Sequence, residues 1–380
     1  MRKATAETTV RTIETGEPKK TGETEKKSLA VGILGASGYG GAGLLTRLAQ
    51  HPQARISAIG SRRFLAQQLA ACWPHLADRL DLEFQEDDAV IEASEVLFCA
   101  TPHGATAPLV KRALDAGLTV IDLSADFRLE PTAYARWYGA THPHPELYPL
   151  ARYGLSELHR QELYGARLVA NPGCNASAAI LALAPLAAHQ LCGPDVIIDI
   201  ATGVSGAGRG AGPGTHFSEL NENFKPYQVA GTHRHIAEIE RTLGRARAWG
   251  KQLRTHGEVE RPVVTFTPHL APMTRGILAT CYTRPPGEFH AGEGLLDLYR
   301  AYYQEDPLIT VQEAIPQTKA VSNSDRTLVS VRYDERSHMI ISFAALDNLG
   351  KGAAGQAVQN FNIVYGFAET TGLRLEGEWP

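Results

Sequence analysis

The stretch Leu29-Ala-Val-Gly-Ile-Leu34, then Gly35-Ala-Ser37-Gly38-Tyr39-Gly40-Gly41, then Leu44-Leu45-Thr-Arg-Leu48, constrains this chain more than any other. A short apolar run, a glycine-rich turn and apolar residues at helical spacing predict strand, turn and helix. The spacing G-x-x-G-x-x-G is a variant of the dinucleotide fingerprint. Glycines let the backbone approach a pyrophosphate, while the helix N-terminus offers free N–H groups and the positive end of its dipole. A glycine triplet alone also fits a tight structural turn; its place between strand and helix gives it weight.

The following segments extend that unit. Arg55–Gly60, Glu95–Ala100 and Leu118–Asp122 are apolar runs of strand length, and Ala107–Ala116 has a helical pattern closed by Gly117. Strands alternating with helices predict a parallel, doubly wound Rossmann-type sheet over residues 29–170. From 196 onward strands dominate: Val196–Ile200, Val263–Phe266, Gly276–Cys281, Leu328–Val331 and Met339–Phe343, with helices near 236–243 and 292–304. This predicts an α+β second domain over 171–349, with a mostly antiparallel sheet. A last helix, about 352–365, follows a glycine-rich turn. Residues 1–28 hold seven threonines, seven Lys/Arg and five Glu. They predict a disordered extension, and its acids argue against an organelle transit peptide.

Charge and cysteine usage exclude several classes. With 37 basic and 41 acidic side chains, the net charge of −4 argues against a general electrostatic grip on nucleic acid or an anionic membrane. The apolar runs are too short to span a bilayer, and the start shows no secretory signal. Five cysteines scattered at 72, 99, 174, 192 and 281 form no disulfide framework and fit a reducing compartment, with the cytoplasm as the simplest expectation.

The end of the second strand bears on the cofactor. An acidic residue there would suit the ribose hydroxyl of NAD; this chain has Ser61-Arg62-Arg63. One hydroxyl and two guanidinium groups suit a 2′-phosphate, and NADP(H) is the expected cofactor. The same pair is also compatible with a solvated basic surface.

Asn171-Pro-Gly-Cys174 opens an Ala/Leu-rich helix. A cysteine in a first helical turn lies where peptide dipoles lower the thiol pKa, and a thiolate can attack an acyl carbon to form a thioester. The alternative, a packing cysteine, fits Cys72, Cys99, Cys192 and Cys281 better. His233 and His235, in Gly231-Thr-His-Arg-His-Ile-Ala-Glu-Ile-Glu240, precede a predicted helix and are candidates for proton transfer. An H-x-H pair can also bind metal, but no zinc-type cluster accompanies it, and no metal is expected.

Further motifs occur in one order: Ser124-Ala-Asp-Phe-Arg128, Gly203-Val-Ser-Gly-Ala-Gly-Arg209, Asn221-Glu-Asn-Phe-Lys225, Thr267-Pro-His-Leu270, Met273-Thr-Arg-Gly-Ile-Leu278 and Asp347-Asn-Leu-Gly-Lys-Gly-Ala-Ala-Gly-Gln-Ala-Val358. With the glycine loop, Asn171–Cys174 and His233–His235, they resemble the N-acetyl-γ-glutamyl-phosphate reductases of arginine biosynthesis from about 30 to 380. The resemblance implies the glyceraldehyde-3-phosphate and aspartate-semialdehyde dehydrogenase fold. In that fold the terminal segment, about 350–380, packs back on the dinucleotide domain.

The resemblance also implies NADPH-dependent reduction of a small acyl phosphate through a Cys174 thioester, with His233 or His235 as acid/base. The expected cofactor set is Gly35, Ser37, Gly38, Tyr39, Gly40, Gly41, Ser61, Arg62, Arg63, Thr101, Pro102, Gly206 and Asn348. Ser124, Arg128, Asn171, Arg209 and Lys225 are the expected substrate set. A homodimer or homotetramer is implied as well. One departure is Asn175-Ala-Ser177 after the cysteine, where the family usually has Tyr-Pro-Thr. A similar Asn-Ala-Thr marks relatives that reduce carrier-protein-bound aminoadipyl phosphate, so an acidic carrier protein is the alternative partner. A cofactor-free cysteine hydrolase or a non-catalytic NADPH sensor would leave the glycine loop or the intact Cys/His set without purpose.

Overall fold

A computed structural model describes residues 28–210, 212–250, 261–287, 289 and 294–379. The extension expected at 1–28 lies outside the described residues except for Ser28. Seven strands form the first sheet: β1 (Leu29–Leu34), β2 (Ala54–Gly60), β3 (Phe84–Gln85), β4 (Val96–Cys99), β5 (Thr119–Asp122), β6 (Ala151–Tyr153) and β7 (Leu168–Ala170). Their order is β3-β2-β1-β4-β5-β7-β6, and every pairing is parallel. Val31, Ile33, Leu97, Phe98, Val120 and Ile121 are fully buried, as expected of strands with helices on both faces.

The helix Gly355–Tyr365 returns to this unit. Val358 and Phe361 share a core with Leu44, Leu45 and Leu48 of the helix Tyr39–Leu48. Asn362 Oδ1 and His51 Nε2 lie 2.8 Å apart across that contact.

The second sheet contains β8 (Asp195–Thr202), β9 (Lys225–Pro226), β10 (Val263–Leu270), β11 (Ile277–Thr283), β12 (Ile309–Val311), β13 (Thr327–Asp334) and β14 (Met339–Leu346), in the order β12-β13-β14-β11-β8-β10-β9. The sheet is mixed. β8 with β10 and β12 with β13 run parallel, and the other four pairings are antiparallel. One face packs on the helix Cys174–Ala188, whose Ala176, Ala178–Ala184, Leu186 and Ala187 join the core.

Pro185 inside that helix has no N–H, so the carbonyl of Leu181 lacks its helical donor. Tyr303 supplies one, its hydroxyl donating to Leu181 O at 2.6 Å, and Tyr299 does the same for Ala182 O at 2.6 Å. The helix is thereby held at its middle, and its N-terminus with Cys174 faces the first sheet's loops.

Candidate active site

A cleft of about 590 Å³ lies between the two sheets. Gly38, Tyr39, Gly40, Thr101 and Pro102 line it from the first unit, and Cys174, Gly206, Arg209, His233, His235 and Asn348 from the second. The glycine loop, the cysteine and both histidines, read separately in the sequence, thus open on one space.

On the cofactor side, Gly38 caps the helix Tyr39–Leu48 without a side-chain hydrogen bond. The helix N–H groups are left to a ligand. Ser37 and Ser61 join through their hydroxyls at 2.7 Å, tying the loop to the end of β2. Arg62 is exposed and reaches Asp87 at 3.3 Å, while the Arg63 guanidinium sits 5.6 Å from the Phe64 ring centre. Thr101 pairs with Thr106 (2.6 Å). Asn348 donates to Ser205 Oγ (2.8 Å) and accepts from the Gly276 N–H (2.8 Å), so its amide braces the loop that carries Gly206.

Cys174 is the first residue of its helix, with Gly173 as the cap. Gly352 faces it so closely that a β-carbon there would lie 2.9 Å from Cys174 Cβ. The thiol differs from expectation. Burial pushes its pKa above the ordinary thiol value, against the opposing pull of Arg128 and of the helix-start backbone N–H groups. The dipole of a helix start is too small to offset removal from water here. A proton acceptor is therefore needed. The other four cysteines are buried.

Both histidines are held neutral. Burial lowers His233 to about 3 and His235 to about 4, with Glu238 pulling each back up in part. They differ in surroundings. His233 is packed between Tyr227 and Phe266, and its Nδ1 accepts the His235 N–H at 3.1 Å. His235 adjoins Gly173, its Nε2 stands 4.0 Å from Glu238 Oε1, and its Nδ1 is buried with no partner among the described residues.

Glu238 was not singled out in the sequence, yet it organises the site. It is fully buried, accepts the Gly173 N–H at 3.1 Å and the Tyr153 hydroxyl at 2.9 Å, and pairs with Arg128 at 3.3 Å. Burial raises its pKa, but Arg128 and His235 more than offset that and hold it below the usual carboxylate range. The signal was its i, i+3 spacing from His235 on a helix. Tyr227 was also missed; its hydroxyl accepts from Asn175 Nδ2 at 3.1 Å, and burial raises its pKa to about 12.

The expected substrate set is only partly at hand. Arg128 lines the cleft but is consumed: Nε donates to Asn171 O (2.8 Å), Nη2 to Leu123 O (2.8 Å), and Nη1 meets Glu238. Its place makes it a positioning residue. The Asn171 side chain is likewise occupied by Ala353 O and Asn360. Ser124 Oγ donates to Asp122 at 2.8 Å; burial and the neighbouring Asp126 raise Asp122 to about 7. Lys225 bonds Gly214 O at 3.1 Å and does not line the cleft. Arg209 lies on the cofactor side, against Ser37 O (3.0 Å) and over the Trp73 ring.

Comparison with known proteins accords with this layout. Residues 30–166 match the family of semialdehyde dehydrogenase NAD binding domains, and 174–348 that of semialdehyde dehydrogenase dimerisation domains. The aspartate semialdehyde dehydrogenase II of Vibrio cholerae has a similar fold. Its TM-score is 0.64 at 17% identity, with 89% of this chain and 98% of that one covered. The N-acetyl-gamma-glutamyl-phosphate reductase of Thermus thermophilus is 51% identical over 92% of this chain and 100% of its own length. The enzyme of that name from Symbiobacterium thermophilum is 46% identical over 92% and 99%. With nearly the whole chain aligned at these identities, it belongs to the N-acetyl-gamma-glutamyl-phosphate reductase family.

Proposed function

We propose that this protein reduces N-acetyl-γ-glutamyl phosphate to N-acetyl-glutamate 5-semialdehyde with NADPH, releasing phosphate, as a step of arginine biosynthesis. The observation that carries this is the meeting of Cys174, His235 and the uncapped glycine loop on one cleft. The relatives bear names of that activity, and nothing among them favours a carrier-bound substrate.

The residues present fit the dinucleotide. The loop Gly35–Gly41 would take the pyrophosphate, and Ser61, Arg62 and Arg63 the 2′-phosphate, with Arg209 beside them over Trp73. Thr101, Pro102, Gly206 and Asn348 would border the nicotinamide. When bound, NADPH supplies the hydride to the acyl carbon.

The protein's own residues do the rest. His235 takes the thiol proton, since it is neutral and adjoins the residue before Cys174. The sulfur attacks the acyl carbon, the C–S bond forms, and the C–O bond to phosphate breaks with its electron pair leaving on phosphate. After hydride addition, the proton held on His235 returns to the oxyanion. His235 then takes that proton back as the C–S bond breaks with its electron pair leaving on sulfur, and passes it to the thiolate, so that the aldehyde is released and the Cys174 thiol restored. Glu238 favours the imidazolium while it exists, and Arg128 keeps Glu238 ionised.

Among the described residues no helix is long and apolar enough to cross a membrane, and no group of three or more His, Cys, Asp or Glu is placed to hold a metal. We assign the open face of the second sheet, which exposes Ile197 and Val263, to subunit contact in a homodimer or homotetramer acting in the cytoplasm. Cys174→Ser tests the chemistry. It should abolish phosphate-dependent NADP⁺ reduction by the semialdehyde while leaving cofactor binding intact; near-normal turnover would refute the thioester route.

A further inference from the structure

An acyl phosphate with a free carboxylate presents two anionic ends, and an enzyme that acts on it must hold them. Among the described residues lining the cleft, the arginines are Arg128, Arg209 and Arg234. Arg128 has its three nitrogens engaged by Asn171, Leu123 and Glu238. Arg209 is drawn to the cofactor loop by Ser37 O and lies 4.4 Å from the Trp73 ring centre.

Arg234 is different. Its Nη1 donates to His103 Nε2 at 2.8 Å, and its guanidinium lies 4.8 Å from the ring centre of Tyr138. No carboxylate among the described residues pairs with it. A guanidinium carries five N–H donors, so the contact with His103 leaves others for a ligand. The aromatic face of Tyr138 fixes the plane in which they lie. His103 and Tyr138 line the same cleft, and their rings are 5.5 Å apart. Arg234 also stands in the chain between His233 and His235, so whatever it holds is brought to the proton-transfer residue.

We infer that Arg234, braced by His103 and Tyr138, binds an oxyanion of the substrate and is a specificity-determining residue of this enzyme. The shared chemistry is a planar fork meeting two oxygens, and either the phosphoryl group or the carboxylate of the substrate has them. This rests on the function proposed above, and the experiment separates the two claims.

In the reverse direction, phosphate and the semialdehyde are separate substrates. Steady-state rates of NADP⁺ reduction are measured for the wild-type enzyme, Arg234→Ala, Arg234→Lys and His103→Asn, varying each substrate in turn. Arg234→Ala should raise one KM by about tenfold or more, as expected for losing a charged hydrogen bond. A rise in the KM for phosphate assigns the phosphoryl group; a rise in that for the semialdehyde assigns the carboxylate. Arg234→Lys should restore part of the loss, and the KM for NADP⁺ should stay within about twofold of wild type. His103→Asn should raise the same KM by a smaller factor, and it carries the test if Arg234→Ala does not fold. Unchanged KM values, or losses equal for all three substrates, overturn the inference while the wild-type activity stands. A wild-type enzyme inert in this assay overturns the proposed function, and the inference with it.

Discussion

A β-carbon added to Gly173 would overlap Nε2 of His235. The residue before the nucleophile and the imidazole that serves it thus compete for one space, and only glycine lets both remain. Gly173→Ala should therefore displace His235, or the backbone that carries Cys174, by a few tenths of an ångström or more. Misplacements of about 1 Å can cost about 100-fold in rate. We expect kcat to fall by about that factor with NADP⁺ binding retained, measured by steady-state kinetics and cofactor titration. A variant with wild-type kcat would show that the contact is incidental.

The Cys174 thiol is raised above its ordinary value by burial, and His235 is lowered to about 4. In the free enzyme at neutral pH the pair is a thiol beside a neutral imidazole. The rate of Cys174 alkylation by iodoacetamide should rise steadily with pH through the neutral range and beyond, because only the thiolate reacts. A rate that levels off below neutral pH would mean a preformed thiolate–imidazolium pair.

Arg62 is exposed, with a long contact to Asp87 among the described residues, and follows Ser61 of the Ser37–Ser61 hydroxyl pair. Arg62→Ala should weaken NADPH by about 10-fold to 100-fold, the range for a charge-assisted hydrogen bond, and NADH far less. Binding constants for both cofactors check this. Equal losses would place the 2′-phosphate elsewhere.

Lys351 is fully buried and pairs with Glu157, also fully buried, at 2.6 Å; Gln359 completes its shell. The pair pins the turn Gly350–Ala354, which brings Gly352 onto Cys174. Lys351→Met leaves a buried carboxylate without its cation and should cost about 3–5 kcal/mol of stability at neutral pH.

The pH dependence of that variant has a definite sign. In the wild type burial raises the Glu157 pKa, but Lys351, with the hydrogen bonds from the Glu157 backbone N–H and Gln359, more than offsets that and lowers it. Its contribution is present above the unfolded value and is lost as pH falls through the folded one. Without Lys351 the two remaining hydrogen bonds, one of them from Gln359, oppose burial with no neighbouring cation, and that pKa rises. The deficit should then shrink as pH falls from about 8 to about 5, where Glu157 takes up a proton. Melting temperatures of the two proteins across that range read it. A deficit that widens on acidification would contradict the assignment.

Legibility in the sequence followed physical scale. Strands whose burial is continuous, such as β1 and β4, and the glycine loop between strand and helix, stand out because one local pattern decides them. The strands β6, β7, β9 and β12 have two or three residues each, too short for periodicity, and their neighbours in the sheet define them. Cys174 and the two histidines were recognisable by residue type and local context. Glu238 and Arg234 were not, because a carboxylate and a guanidinium on a helix start are usually solvated. Their roles come from Gly173, Arg128, His103 and Tyr138, which only the fold brings near. The lowered thiol pKa failed for the same reason: a helix start can be seen in a sequence, whereas the depth of its burial cannot.

The most direct measurement is NADPH formation from N-acetyl-glutamate 5-semialdehyde, NADP⁺ and phosphate, by the wild type and by Cys174→Ser. The cleft geometry predicts turnover that requires phosphate and disappears in the variant, which still binds NADP⁺. Turnover without phosphate, its absence in the wild type, or its persistence in Cys174→Ser would contradict the proposed thioester reduction.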